Sequence, residues 1–128
     1  MADANITTQV EQFVVRNIDT SEQIEVLLLL HSSPERTWNV DAIYQRILTS
    51  RESVAHQLDL LCAQGLAEVR GGEPKVFAYR PLSPELDADV KGLAAAYRLA
   101  PHRIIQLIYS KPPNAIRSFA DAFRLRKD

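Results

Sequence analysis

The chain has 128 residues, of which 46% are apolar and 24% are charged, and its net charge is −1. This length and balance predict one domain with a core of its own and exclude a wholly disordered chain. The single cysteine excludes an intrachain disulfide and favours a reducing, cytoplasmic location, and no apolar run is long enough to span a bilayer.

The small net charge hides an uneven distribution along the chain. Residues 1–35 carry six acids and one base, whereas residues 82–128 carry eight bases and five acids. Residues 36–81 are close to neutral, with six bases and five acids. The overall charge therefore does not predict a nucleic-acid-binding protein, but it allows a locally basic surface.

The first third of the chain is predicted to be helical. A short helix is expected over about residues 7–17, and a second helix from the capping residues Asp19–Ser21 to about His31. The second helix is apolar on nearly every side, which is typical of a helix at the centre of a domain. A short extended stretch at Thr37–Trp38 leads to a third helix over about residues 40–47.

A further helix is expected from about Ser50, where the spacing of Thr49 and Glu52 is that of a capping box. Gly65 is suited to the end of this helix because glycine readily adopts the left-handed conformation found there. The apolar stripe of the helix consists of Val54, Leu58 and Leu61.

Beyond Gly65 the pattern changes from helical to extended. Two runs rich in β-formers flank the turn residues Gly71–Pro74, which predicts a β-hairpin. A helix is then predicted from Pro84 to about Leu99, and Pro101 either kinks it or opens a second helix. A last helix is predicted after Asn114.

The order of helix, short strand, helix, tight turn, helix and hairpin resembles the winged helix-turn-helix domain. Three stretches carry the resemblance: Val54-x-x-x-Leu58-x-x-Leu61-x-x-x-Gly65-Leu66, then Glu68-Val69-Arg70, then Val76-Phe77-Ala78-Tyr79-Arg80-Pro81. They are similar to winged-helix regulators of the multiple-antibiotic-resistance and phenolic-acid-response types. The stretches at 21–30, 107–113 and 118–126 also resemble a set of small bacterial winged-helix proteins, which implies no particular activity.

The resemblance implies a mainly α fold with a small β-hairpin, in which a winged helix-turn-helix core carries additional N- and C-terminal helices. We expect an N-terminal helical extension over residues 1–19, the winged domain over residues 20–81, and a C-terminal helical region for dimerisation or docking over residues 82–128.

The resemblance also implies that the chain binds double-stranded DNA, with the third helix of the core (about 50–64) in the major groove and the hairpin (about 67–80) on the backbone. With the apolar stripe inside, the outward residues are expected to be Ser50, Arg51, Ser53, His56 and Gln57. Arginine can pair with guanine and glutamine with adenine, while Thr49 and Ser50 can meet phosphate. Arg70, Lys75 and Arg80 would add backbone contacts.

Several alternatives remain open at this point. Exposed arginine and glutamine on a helix are commonly only solvated, and a winged helix can instead be a protein-binding adaptor. The few bases predict weak binding by a monomer, which favours a homodimer. The expected dimerisation residues are Leu86, Val90, Leu93, Tyr97, Ile104 and Ile108, unless these side chains pack back onto their own chain.

The last predicted helix carries Ile116, Phe119 and Phe123 beside several bases. Docking within the chain is the favoured interpretation, a protein partner the second, and a membrane surface the least favoured. No cofactor, metal or enzymatic activity is expected, because the three histidines and Cys62 are widely spaced and no catalytic arrangement is legible.

Overall fold

The computed structural model describes residues 7–110, and the predicted helix after Asn114 lies outside them. The elements of the described part follow one another as α1 (Thr8–Asn17), α2 (Ser21–Ser32), α3 (Val40–Tyr44), α4 (Arg51–Ala63), β1 (Ala67–Val69), β2 (Phe77–Tyr79), α5 (Pro84–Leu99) and α6 (Pro101–Ser110). The prediction of a mainly helical fold with one small hairpin is confirmed.

The starts of the first five helices are set by the side chain that precedes each. This side chain accepts a hydrogen bond from the backbone N–H three residues later, which satisfies one of the free donors of the first turn. The caps are Thr7, Thr20, Asn39, Ser50 and Ser83. The expected pairing of Thr49 with Glu52 is wrong by one position, because Ser50 Oγ accepts from the Ser53 N–H at 3.1 Å.

Pro101 opens a separate helix, which decides between the two alternatives left open by the sequence. Ala100 leaves the helical conformation at φ −146° and ψ 66°, and Pro101 begins α6. Proline suits this position because its missing N–H would have no partner in a first helical turn. The helix expected over residues 40–47 is shorter than predicted and ends at Tyr44.

Helix α2 is the centre of the structure, as its sequence predicts. Ile24, Val26, Leu27 and Leu30 are completely buried. The helix contacts α4, β2 and α5, so neighbours cover several of its sides. This arrangement places α4 against one side of α2 and the hairpin against another.

The hairpin is antiparallel, with Ala67 opposite Tyr79 and Val69 opposite Phe77. Trp38 extends it by a single bridge, in which the Trp38 N–H donates to the Phe77 carbonyl at 2.8 Å and the Phe77 N–H donates back at 2.7 Å. The predicted extended stretch at Thr37–Trp38 is therefore paired with the hairpin.

Helices α1, α5 and α6 contact one another within the single chain. The expectation that the apolar residues of α5 and α6 form a free dimer surface is wrong. Val90, Leu93, Ile104 and Ile108 are buried, and Leu86 and Tyr97 pack half-buried against the same core. The reason is that α1 supplies the apolar partners Val10, Phe13 and Val14, so these side chains are already covered.

A hydrogen bond joins the hairpin to α5. The hydroxyl of Tyr79 donates to Asp87 Oδ1 at 2.7 Å, and Lys91 lies 3.4 Å from the other oxygen of the same carboxylate. The Tyr79 hydroxyl, as the largest cause, and Lys91 hold the pKa of Asp87 below its usual range.

Replacing Gly65 by alanine is expected to destabilise the fold more than the same change at Gly71. Both glycines have positive φ (+77° and +88°), which costs other residues about 1–2 kcal/mol. A Cβ on Gly65 would also lie 2.5 Å from Leu82 Cδ1 and 2.8 Å from Leu82 Cγ, so this exposed side chain would have to turn away, whereas a Cβ on Gly71 meets nothing within 4 Å. Urea unfolding of Gly65→Ala and Gly71→Ala measures the difference, and equal losses would contradict the role of Leu82.

The Tyr79→Phe variant is expected to lose about 1 kcal/mol of unfolding free energy at neutral pH, because one hydrogen bond to Asp87 is removed. A carboxyl whose pKa is lowered by folding stabilises the protein above its unfolded pKa, near 4, and this contribution disappears as the pH falls through the lower folded value. Urea unfolding from about pH 7 to about pH 3 should show the gap between the two proteins narrowing below about pH 4. If the two proteins still differ by the same unfolding free energy at about pH 3, the role of the Asp87 carboxylate is wrong.

Candidate nucleic-acid interface

Helix α4 lies with its apolar stripe inward, as predicted. Val54, Leu58 and Leu61 are completely buried, and the helix contacts α2, α3 and β1. Gly65 ends the helix in the left-handed conformation, at φ +77°, and the chain passes directly into β1. The outer side of α4 and the hairpin are therefore held in a fixed relation by a very short connection.

Gln57 is not on the outer side, so the expectation that it faces outward is wrong. Its exposure is 6%, and its Oε1 is buried without a hydrogen-bond partner among residues 7–110. The physical reason is the width of the stripe. Position 57 lies one turn from both Val54 and Leu61, and an apolar face about 100° wide includes it. The helical spacing alone therefore predicts that Gln57 is buried.

Ser53 is also turned away from the expected surface. It is half-buried, and its hydroxyl donates to Glu22 Oε1, in the first turn of α2, at 2.7 Å. The expectation that Ser53 faces outward is wrong because the half-buried Glu22 provides an acceptor that periodicity along α4 does not reveal. The contact ties the first turn of α4 to that of α2.

Arg51 is exposed at the start of α4, as predicted, but it is not free. Its Nε donates to Asp41 Oδ1 at 2.5 Å, and its Cζ lies 4.3 Å from the centre of the Tyr44 ring. The hydrogen bond to Asp41 and then the charge of Asp41 raise the pKa of the guanidinium. No local pattern indicated these partners, because Asp41 and Tyr44 belong to α3 and reach Arg51 only through the α3–α4 packing.

The remaining predicted residues of α4 and its approach are accessible to different extents. Ser50 and His56 are exposed, while Thr49 is half-buried. Ser50 already accepts the cap hydrogen bond, so its hydroxyl is held at the N-terminus of the helix. Exposed carboxylates at Glu52 and Asp59 share the helix and reduce its positive potential.

The three bases predicted on the hairpin are all exposed. Arg70 pairs with Glu68 at 2.7 Å, whereas Lys75 and Arg80 form no ion pair with a carboxylate of residues 7–110. An exposed ion pair contributes little stability. The guanidinium of Arg70 can therefore exchange Glu68 for another anion at small cost.

A cleft of about 640 Å³ lies beside this interface, between the hairpin and the start of α5. Its walls include His31, Tyr79, Leu82, Asp87 and Lys91. The ring of His31 meets the Tyr79 ring edge to face, with centroids 5.1 Å apart. His31 therefore packs against the hairpin at the end of α2.

Cys62 is half-buried, and burial is the main cause that raises the pKa of its thiol. A raised pKa lowers the fraction of the reactive thiolate, and Cys62 packs partly buried against the core. Between Thr7 and Ser110 no group of three or more metal-binding side chains comes together. No helix in this range is long and apolar enough to cross a membrane.

The fold recurs in solved transcriptional regulators. PcaV from Streptomyces coelicolor, solved with its natural ligand, is 18% identical and matches 93% of this chain and 82% of its own length at a TM-score of 0.51. Wild-type MarR from E. coli is 12% identical, and the match covers 91% of this chain and 84% of MarR at a TM-score of 0.50. A MepR mutant from a multidrug-resistant S. aureus clinical isolate is 13% identical, and the match covers 94% of this chain and 86% of MepR at a TM-score of 0.50.

The likeness to these regulators confirms the predicted winged-helix fold. It extends over more than nine-tenths of the chain and therefore includes the helices outside the winged core. Because the sequence identities are below 20%, the similarity concerns the fold alone. No protein-family model matches the sequence, and no curated protein matches it.

Proposed function

We propose that this chain is a DNA-binding transcriptional regulator in which α4 enters the major groove and the hairpin contacts the phosphate backbone. The observation that carries the proposal is the exposed start of α4, with Arg51 outward, rigidly joined to a hairpin that carries Arg70, Lys75 and Arg80. The winged-helix fold, shared with solved transcriptional regulators, supports the same function.

Arg51 is the residue of α4 best suited to read a base. Its side chain is exposed and long enough to reach a base edge, and a guanidinium can bind the O6 and N7 acceptors of guanine with two hydrogen bonds. His56 lies further along the exposed surface of α4. Gln57 has no part in the reading because it is buried.

Asp41 would occupy the Arg51 guanidinium until the nucleic acid replaces it. In the free protein it neutralises Arg51, and on binding Arg51 would exchange this carboxylate for a base or phosphate. The exchange keeps the guanidinium paired throughout and reduces non-specific binding, because a random duplex must compete with Asp41. Arg70 and Glu68 offer the same exchange on the hairpin.

We further propose that the regulator acts as a homodimer. A single copy offers few bases, so two copies would double the phosphate contacts and raise the affinity steeply. The six residues expected to form the interface are used within the chain. The proposed contact is instead the surface around the junction of α5 and α6, where Leu99 is 66% exposed.

The Arg51→Ala variant is expected to bind the preferred duplex about 10- to 100-fold more weakly, because one base contact is worth about 1–3 kcal/mol. The duplex is first selected from random-sequence fragments with the wild-type protein, and affinities are then measured by fluorescence anisotropy over a range of salt concentrations. The matched control is Arg16→Ala, which removes the same charge from an exposed position on α1 and is expected to have almost no effect.

A preferred affinity that survives in Arg51→Ala would contradict the assignment of the base-reading residue. If the wild-type protein neither binds a duplex nor is retained on heparin at moderate salt, the DNA-binding proposal is wrong. A winged-helix adaptor that binds another protein would then be the better interpretation.

The Leu99→Asp variant is expected to be monomeric at roughly tens of micromolar, where the wild-type protein is expected to be dimeric. The charge would have to be desolvated in the interface, which strongly opposes association. Sedimentation velocity measures both proteins. Leu48→Asp is the matched control, because Leu48 is fully exposed in the turn before α4 and outside the proposed contact. A monomeric wild-type protein would refute the dimer.

A further inference from the structure

Two arginines that sequence reasoning did not select share one aromatic ring. The Cζ of Arg36 lies 3.8 Å from the centre of the Trp38 ring, and the Cζ of Arg46 lies 5.3 Å from it. Both distances are within the range of a cation–π contact. Trp38 itself is 2% exposed, so it is a fixed support on which two exposed guanidiniums rest.

Neither guanidinium is neutralised by a carboxylate of residues 7–110. The ion pairs of this part of the chain are Arg51–Asp41, Arg70–Glu68 and Lys91–Asp87. A ring contact holds the plane of a guanidinium but leaves the N–H groups at its edge free to bind an anion. Arg36 and Arg46 are therefore two ordered positive charges without a counter-charge from the described residues.

The position of the pair connects the two halves of the proposed interface. Trp38 is hydrogen-bonded to Phe77 in the hairpin. Arg46 lies in the turn between α3 and α4, where its N–H donates to the Ile43 carbonyl at 2.9 Å, five residues before Arg51. Residues 36–51 carry three arginines and one acid, and each of these arginines lies over an aromatic ring.

We infer that Arg36 and Arg46, supported by Trp38, form a further phosphate-binding site for the DNA backbone, between the hairpin and the start of α4. This inference rests on the proposed DNA binding and adds a contact outside α4 and the hairpin. The site positions the duplex and reads no base, because planar guanidiniums bind phosphate oxygens with two parallel hydrogen bonds irrespective of sequence.

The single tryptophan of the chain makes the site observable. A phosphate that binds either guanidinium changes the charge and the contacts beside the Trp38 ring, so the emission of Trp38 is expected to change when duplex DNA is added. Titration by fluorescence gives the occupancy of this site, and anisotropy of a labelled duplex gives overall binding.

The test uses the full chain with Arg36→Met, Arg46→Met and the double variant. Methionine keeps an apolar stem on the Trp38 ring and removes the charge, so the fold is expected to survive, and thermal unfolding checks this. Each single change is expected to reduce the slope of log affinity against log salt by about 1 for every bound copy of the chain, and the double change by about 2 per copy. The double variant should also lose the DNA-induced change in Trp38 emission.

Arg46→Lys and Arg16→Met complete the design. The lysine keeps a charge without the planar guanidinium and should retain most of the salt slope of the wild-type protein. Arg16→Met removes one charge from an exposed position on α1 and should leave the salt slope and the Trp38 emission unchanged. The preference among duplex sequences should be the same in every variant, because the site is proposed to contact only phosphate.

The outcomes separate this inference from the proposed function. If the double variant binds with the affinity and salt slope of the wild-type protein while Arg51→Ala is impaired, the phosphate site is wrong and DNA binding stands. If inorganic phosphate alone at equal ionic strength reproduces the emission change, the site takes free anions and its assignment to the DNA backbone is overturned. If the wild-type protein binds no duplex, both proposals fail.

Discussion

The burial of α2 is the constraint on which the rest of the structure depends. A helix that is apolar on nearly every side must be surrounded, and each fully buried leucine or isoleucine contributes about 1.5–3 kcal/mol relative to an exposed one. The surrounding elements are α4, the hairpin and α5. Because α4 must present Val54, Leu58 and Leu61 to this core, its opposite side is left to solvent beside the hairpin.

A buried polar side chain sets the register of the helices around α2. Gln23 is completely buried, and its amide nitrogen donates to the Asn17 carbonyl at 2.7 Å while its oxygen accepts from the Asp19 N–H at 2.8 Å. Gln64, at the end of α4, donates to the same carbonyl at 2.7 Å. The end of α1, the start of α2 and the end of α4 therefore meet at one carbonyl. A buried amide tolerates few alternative arrangements, because a lost partner leaves an unsatisfied group.

Four exposed arginines are held in two different ways. Arg51 and Arg70 are paired with carboxylates, so in the free protein their charge is partly cancelled. Arg36 and Arg46 rest on an aromatic ring, which orders them without cancelling their charge. The first arrangement favours selectivity, since an anion must displace a partner, and the second favours affinity, since the guanidinium is ordered in advance. A protein of nearly neutral net charge can combine both on one surface.

The sequence by itself determined the features whose causes are local. The start of α2 after Thr20, the end of α4 at Gly65 and the central place of α2 follow from interactions within one turn or from hydrophobic periodicity. Only the tertiary structure decided which side chains meet across elements. Ser53 donates a hydrogen bond to Glu22, and Arg51 binds Asp41 and lies over the ring of Tyr44. The apolar residues of α5 and α6 pack against α1. These contacts depend on how packed helices place side chains of different elements, which are 10 residues apart for Arg51 and Asp41, 31 apart for Ser53 and Glu22, and near opposite ends of the described residues for α1 and α6. No spacing along a single element encodes such a distance, and the polar or apolar character of a residue leaves its partner undetermined.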